Sequence, residues 1–314
     1  MAAVTRLGRE LTWLSPRLAF LCLLLLEAFS NAKHFVPDPK STVWQYQLSD
    51  KGTVKYIPGV NLYVIDLDTA RKEIPRLKNL DKNIKVVCYY SAGTYEAARR
   101  DADQDRGENS FDPKTYLKDA LLEPMEGWPD ETWLDVTKKR VWYMNKKRMR
   151  FAKEIGCDGV DPDNVDYYSV NSKVVSRKES AAFVNYLTTK AHDLGLGIGL
   201  KNAVELIKDV PDVDWYINES CVTFGECDRY ASVVEKKAVM AVEYCDAKEE
   251  LGEPTQQPTC ACAVARKNDI NMLIKRADLD ADRMACNERM FIMMEFGDDC
   301  ASSKADVCGG LFNA

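Results

Sequence analysis

Histidine is almost missing from this 314-residue chain. His34 and His192 are the only two, and no Cys-x-x-Cys pair accompanies them, so disulfides account for the cysteines better than a zinc site of the usual nitrogen and sulfur ligands. No Gly-rich loop follows a strand-like run, which argues against a dinucleotide or P-loop fold and leaves no cofactor to be expected. The formal charge is -6, a poor starting point for binding nucleic acid and a plausible one for cationic substrates. Beyond residue 32 no apolar run is long enough to span a bilayer.

The beginning of the chain reads as a leader. Arg6, Arg9 and Arg17 precede an apolar core from Leu18 to Phe29, and Ser30-Asn31-Ala32 offers small residues for cleavage. Residues 1–32 are therefore expected to be a signal peptide and 33–314 a secreted enzyme domain, away from membranes and monomeric. Cysteine usage agrees. Of 11 cysteines, Cys22 falls in the leader and the rest form an even set suited to an oxidising compartment. Cys221 and Cys227 bracket a short loop and are the first pair to expect.

Short runs rich in β-branched and aromatic residues alternate with helix-like stretches. They are Leu62 to Leu67, Lys85 to Ser91, Trp133 to Val136, Cys157 to Asp161, Gly197 to Lys201, Trp215 to Glu219, Val239 to Tyr244 and Met290 to Phe296. Eight such runs in one domain predict an α/β fold of the (β/α)8 TIM-barrel type. Two connections are overlong. Thr94 to Glu131 is read as a lid carrying Trp128, and Asp246 to Glu288 as a disulfide-rich C-terminal insertion.

The carboxyl ends of the predicted strands are polar, as a barrel's catalytic rim should be. They offer Asp66 and Asp68, then Tyr89 and Ser91, then Asp161, Asp163 and Asn164. Further on come Lys201 and Asn202, Glu219, and finally Glu243 and Tyr244. With Trp128 they describe an acidic, aromatic pocket for a sugar polymer. Glycoside hydrolysis needs two carboxyl groups flanking the bond that is cut. Asp161 or Asp163 and Glu219 are the candidates; alternate residues of a strand share a face, so Asp161 and Asp163 point the same way.

Longer motifs carry a resemblance. Cys88-Tyr89-Tyr90-Ser91-Ala92-Gly93, Gly127-Trp128 with Glu131 and Trp133-Leu134-Asp135, Gly156 to Asp166, Gly199-Leu200-Lys201-Asn202 and Asn218-Glu219 with Cys221 resemble glycoside hydrolase family 114. That family comprises secreted endo-α-1,4-polygalactosaminidase-like enzymes. The resemblance implies a (β/α)8 barrel, a galactosamine-rich glycan as substrate and a retaining reaction. It implies catalysis by Asp161 as nucleophile and Glu219 as acid/base; the other residues above are expected from their strand-end positions to contact substrate. Many members carry Glu where this chain has Asp161, which keeps Asp163 as the alternative. Two further readings stand beside it. A chitinase-like Asp-x-x-Asp-x-Asp-x-Glu pattern fits Asp158, Asp161 and Asp163 but meets Val165 at the proton donor; a sugar-binding barrel without activity needs neither carboxylate.

Overall fold

Strand β1 (Trp44–Gln47) opens a parallel sheet that continues through β2 (Leu62–Asp66) and β3 (Lys85–Ser91). The computed structural model describes residues 34–49, 53–102, 116–245 and 258–287. The chain forms two compact units, Met1–His34 and Phe35–Ala314, and every strand and helix described belongs to the second. The expected signal peptide and the run from Met290 to Phe296 lie outside the described residues.

After β3 the chain leaves the main sheet for β4 (Thr94–Glu96), β5 (Leu121–Met125) and β6 (Trp128–Leu134), which pair antiparallel in the order β4-β6-β5. It returns as β7 (Gly159–Asp163), β8 (Gly197–Lys201), β9 (Trp215–Glu219), β10 (Ala238–Tyr244) and β11 (Asn271–Lys275), with β12 (Met284–Ala285) antiparallel at the edge. The main sheet runs β1-β2-β3-β7-β8-β9-β10-β11-β12, so eight consecutive strands are parallel. Its two ends meet. Leu48 N and Ser49 N donate to Leu279 O at 3.1 and 3.2 Å, and Asn271 Nδ2 donates to Thr42 O at 2.6 Å. The fold is a (β/α)8 barrel.

The helices between the strands are α1 (Leu67–Leu80), α2 (Lys139–Ile155), α3 (Tyr168–Asn171), α4 (Arg177–Asp193) and α5 (Pro258–Lys267). Local chemistry sets their ends. Ser176 and Glu179 form a reciprocal capping box that starts α4, and Gly156 at φ 93° stops α2 in the left-handed conformation that glycine adopts without penalty. Ile74, Leu77, Met149, Phe183 and Leu187 seal the helices onto the barrel. No helix among the described residues is long and apolar enough to cross a membrane.

Inside the barrel a second apolar cluster gathers Trp44, Tyr46, Leu62, Val64, Trp215 and Met240. Trp215 is its plug. A Cβ at Gly199 would lie 2.2 Å from the indole Nε1, and one at Gly159 2.6 Å from the ring, so glycines on β7 and β8 make room for one large side chain.

Three expectations change. Trp133 to Val136 belongs to the antiparallel excursion, not the barrel, because its partners are Thr94 to Glu96 and β5. Strand four begins two residues later than expected and ends at Asp163. The C-terminal insertion dissolves: α5 and β11 occupy it and supply the last barrel strand. Disulfides join Cys88 to Cys157, Cys221 to Cys227 and Cys262 to Cys286, the second being the pair expected from spacing; Cys245 and Cys260 are disulfide-bonded too.

Candidate active site

A cleft of about 740 Å³ opens at the carboxyl ends of the parallel strands. Strand ends supply Tyr46, Tyr89, Asp163, Lys201, Glu219 and Tyr244, while the excursion supplies Glu96, Met125, Trp128 and Glu131.

Lys201 organises the floor. It is 1 % exposed, and its ammonium donates to Asp163 Oδ2 at 3.1 Å and to Glu219 Oε2 at 2.5 Å. Burial alone would push its pKa down; the Asp163 and Glu219 carboxylates overcome this and hold it well above the usual lysine range. Each carboxylate has further donors. Tyr89 Oη donates to Asp163 Oδ2 at 2.9 Å and Asn164 N to Asp163 Oδ1 at 2.9 Å. Tyr244 Oη donates to Glu219 Oε1, and Asn202 Oδ1 accepts from Glu219 N at 2.9 Å. Asn164 and Asn202 sit at φ 59° and 50°, where a short polar side chain is tolerated better than most. Gly93 explains the close approach beside them. A Cβ there would fall 1.6 Å from Asn164 O.

Asp161 does not reach the cleft. Its side chain is fully buried and neither oxygen accepts a hydrogen bond among the described residues. Burial pushes its carboxyl up to about 7; Lys201 opposes the shift, and Asp163 and Glu219 add to it. The strand-face argument holds, yet the two acids differ by one layer of barrel depth. Asp163 is the carboxylate on the cleft wall.

Other expected contacts divide. Asp66, Asp68, Asn164 and Asn202 line the cleft with Trp128, but Asp66 is spoken for: Arg99 Nη1 pairs with it at 2.5 Å while Arg99 Nε pairs with Glu96 at 2.5 Å. Asp66 also caps α1 through Asp68 N at 2.8 Å. Ser91 and Glu243 are corrected. Ser91 is buried, bonded to Thr94 and to Asn164 Nδ2; Glu243 is buried and accepts from Val222 N at 2.5 Å and Thr223 Oγ1 at 3.2 Å. Neither lines the cleft, because strand-end position does not say whether a neighbouring loop folds over the side chain.

Glu131 was missed as a site residue. It faces Glu96 directly across the antiparallel ladder, and burial followed by the Glu96 charge pushes its carboxyl up to about 7. Thr94 Oγ1 donates to it at 2.5 Å and Asn164 Nδ2 at 3.5 Å. Like charges placed opposite one another destabilise a sheet; the sequence signal that could have drawn attention to Glu131 is its place in the Gly127-Trp128 motif that carries the resemblance. Tyr46 went unnoticed with its strand, and Phe224 because a lone aromatic in a loop carries no pattern.

Two carboxylates bridged by a lysine at the catalytic rim of a (β/α)8 barrel, walled by aromatics, define a glycoside hydrolase frame. Sequence comparison identifies which one: residues 26–291 match glycoside-hydrolase family GH114, and the chain belongs to it. It is 30 % identical to Aspergillus fumigatus Ega3, whose crystal structure is a complex with galactosamine, over 81 % of this chain and 98 % of that one, with a TM-score of 0.65. The glycoside hydrolase domain of PelA from Pseudomonas aeruginosa shares the fold at 14 % identity, covering 78 % of this chain and 98 % of that one, with a TM-score of 0.56. Comparison with curated protein sequences gave no match.

Proposed function

We propose that this chain is a secreted endo-acting hydrolase of galactosamine-rich polysaccharide, an endo-α-1,4-polygalactosaminidase that retains anomeric configuration. Asp163 acts as nucleophile and Glu219 as acid/base. The observation that carries this reading is the Lys201 bridge. Two bonds of 3.1 and 2.5 Å meeting at one nitrogen keep the bridged carboxylate oxygens within about 5.6 Å of each other. That supports retention, for which about 5–5.5 Å is usual, against the roughly 6.5–9.5 Å of inversion.

The donors support the division of roles. Asp163 receives Tyr89 Oη, Lys201 Nζ and Asn164 N, three groups that hold negative charge on a nucleophile. Glu219 is the more open of the two side chains, 22 % exposed against 12 %, as suits a group that meets the leaving oxygen and then water. Glu219 enters the first step protonated: an Asp163 oxygen bonds to the anomeric carbon as the glycosidic C–O bond breaks, and Glu219 passes its proton to the departing oxygen. In the second, Glu219 takes a proton from water, whose oxygen attacks the same carbon and frees Asp163.

The acidic rim favours a cationic sugar. Asp68 and Glu131 face the cleft; Asp68 accepts from Arg100 N at 2.9 Å while the Arg100 guanidinium stays 3.7 Å away, and no salt bridge engages Glu131 among the described residues. Secretion is supported by the apolar leader and by the disulfides. Incubating the protein with deacetylated α-1,4-linked polygalactosamine, with its fully N-acetylated form and with chitin tests the reading: mass spectrometry should find oligosaccharides from the first substrate most rapidly, and NMR should find the α-anomer formed first. Release from chitin alone, or the β-anomer first, defeats it.

A further inference from the structure

Phe224 lines the cleft yet leaves 58 % of its surface exposed. Single exposed apolar residues are ordinary; what sets this one apart is the support beneath it. The Cys221–Cys227 disulfide closes its loop. Phe224 N donates to Ser220 O at 2.9 Å, and Glu226 N to Cys221 O at 2.7 Å. Glu243, wholly buried, places its carboxylate on Val222 N and Thr223 Oγ1. A buried carboxylate is costly unless its bonds repay it, and here they fix the seven-residue loop from Cys221 to Cys227, whose outward product is one bare phenyl ring. Ser220 and Gly225, both at φ 66°, turn the chain so that the ring stands at the rim.

Strand order shows where the ring lies. Around the barrel the cleft groups follow one another as Trp128 on the excursion between β3 and β7, Asp163 ending β7, Lys201 ending β8, Glu219 ending β9, and Phe224 in the loop after β9. The carboxylate pair therefore falls between two exposed aromatics, Trp128 at 42 % and Phe224 at 58 %. A single sugar in the cutting position has no use for both rings. A chain that continues past the cut on each side does.

We infer that Phe224 is a stacking platform for a sugar ring of the polysaccharide on the leaving-group side, beyond the bond that Glu219 protonates. This rests on the function proposed above. The chemistry fits a galacto-configured amino sugar: its axial O4 leaves a continuous C–H patch on one face of the pyranose ring, which lies flat on an aromatic, and a protonated 2-amino group is drawn to the same π-face. The platform would make the enzyme favour internal bonds, since only a chain with further residues on that side touches it.

The test compares wild type with Phe224→Ala and Phe224→Tyr on two substrates, deacetylated polygalactosamine and an aryl α-galactosaminide, whose small aglycone stops short of the platform. Phe224→Ala should raise KM for the polymer about tenfold, equivalent to about 1.4 kcal/mol, with kcat nearly unchanged. Phe224→Tyr should restore the polymer KM, and neither change should alter KM for the aryl substrate. Binding of the polymer to Glu219→Gln, with and without Phe224→Ala, reads the platform without turnover: about tenfold weaker binding supports it whatever bond the enzyme cuts. Equal polymer binding by the two, or a parallel loss on both substrates, overturns the inference. A wild-type protein that binds the polymer through Phe224 yet releases no product would instead fault the proposed function and leave the platform standing.

Discussion

Asp161 and Asp163 project from one face of β7, two residues apart, and meet opposite environments. The first is sealed in the barrel with no hydrogen bond among the described residues, and the second takes three donors at the cleft wall. Depth along a single strand decides which acid can meet a substrate.

Asp163→Asn and Glu219→Gln should each lower kcat about a thousandfold or more while circular dichroism stays unchanged. Asp161→Asn should lose much less. Turnover abolished by Asp161→Asn and spared by Asp163→Asn would return the nucleophile to the deeper position.

Asp161 also predicts how stability varies with pH. Its carboxyl rises from 3.8 to about 7 on folding, so between these values the unfolded state gives up its proton while the folded state keeps it. Stability falls as pH climbs through this window. Asp161→Asn should remove that loss, raising Tm relative to wild type more at pH 8 than at pH 5. A Tm difference constant across the window would show that the carboxyl does not stay protonated.

Lys201→Met removes the cation between two carboxylates. Without it the Asp163 carboxylate loses the cation that favours its charged form, so its pKa should rise and the low-pH limb of the kcat/KM profile should move to higher pH. Unfolding should become easier by about 3–5 kcal/mol, the usual cost of stripping one partner from a buried pair. An unmoved limb would remove Lys201 from the account of the nucleophile's charge.

Asn218-Glu219-Ser220 is the chain's one Asn-x-Ser/Thr sequon, normally a mark of an exposed, glycosylated loop in a secreted protein. Here Asn218 is fully buried on β9, and its Nδ2 donates to Glu226 Oε2 at 3.1 Å. A bulky glycan has no room. Peptide mass spectrometry of protein secreted from a eukaryotic host should find Asn218 unmodified, and full occupancy would mean that β9 is not where the barrel puts it.

The barrel was legible in the sequence, although one compensation flattered the count. Missing β1 and admitting Trp133 to Val136 cancelled, so strands four and six kept their numbers. Trp44–Gln47 is only four residues long and buried on both faces, which leaves no alternation to read. Asn271–Lys275 ends in a fully buried lysine that looks like a surface residue; it is accommodated because Lys275 Nζ donates to Asp280 O and Asp282 O at 2.8 and 2.6 Å. Periodicity reports that a segment is extended, not which strand it joins, and that is why Trp133 was assigned to the wrong sheet. The site was legible where a side chain's fate depends on strand position, as for Lys201 and Glu219. It was illegible where a loop decides, as for Glu243 beneath the Phe224 loop.

The Cys88–Cys157 bridge spans 69 residues and encloses the whole antiparallel excursion from Thr94 to Leu134. A protease that cuts the chain once inside that stretch severs the polypeptide without separating the pieces, because the bridge lies behind the cut on both sides. A nicked molecule would keep β3 tethered to the approach of β7, and its two fragments would part on a gel only after reduction. The excursion that walls the cleft can thus be cut without the barrel coming apart.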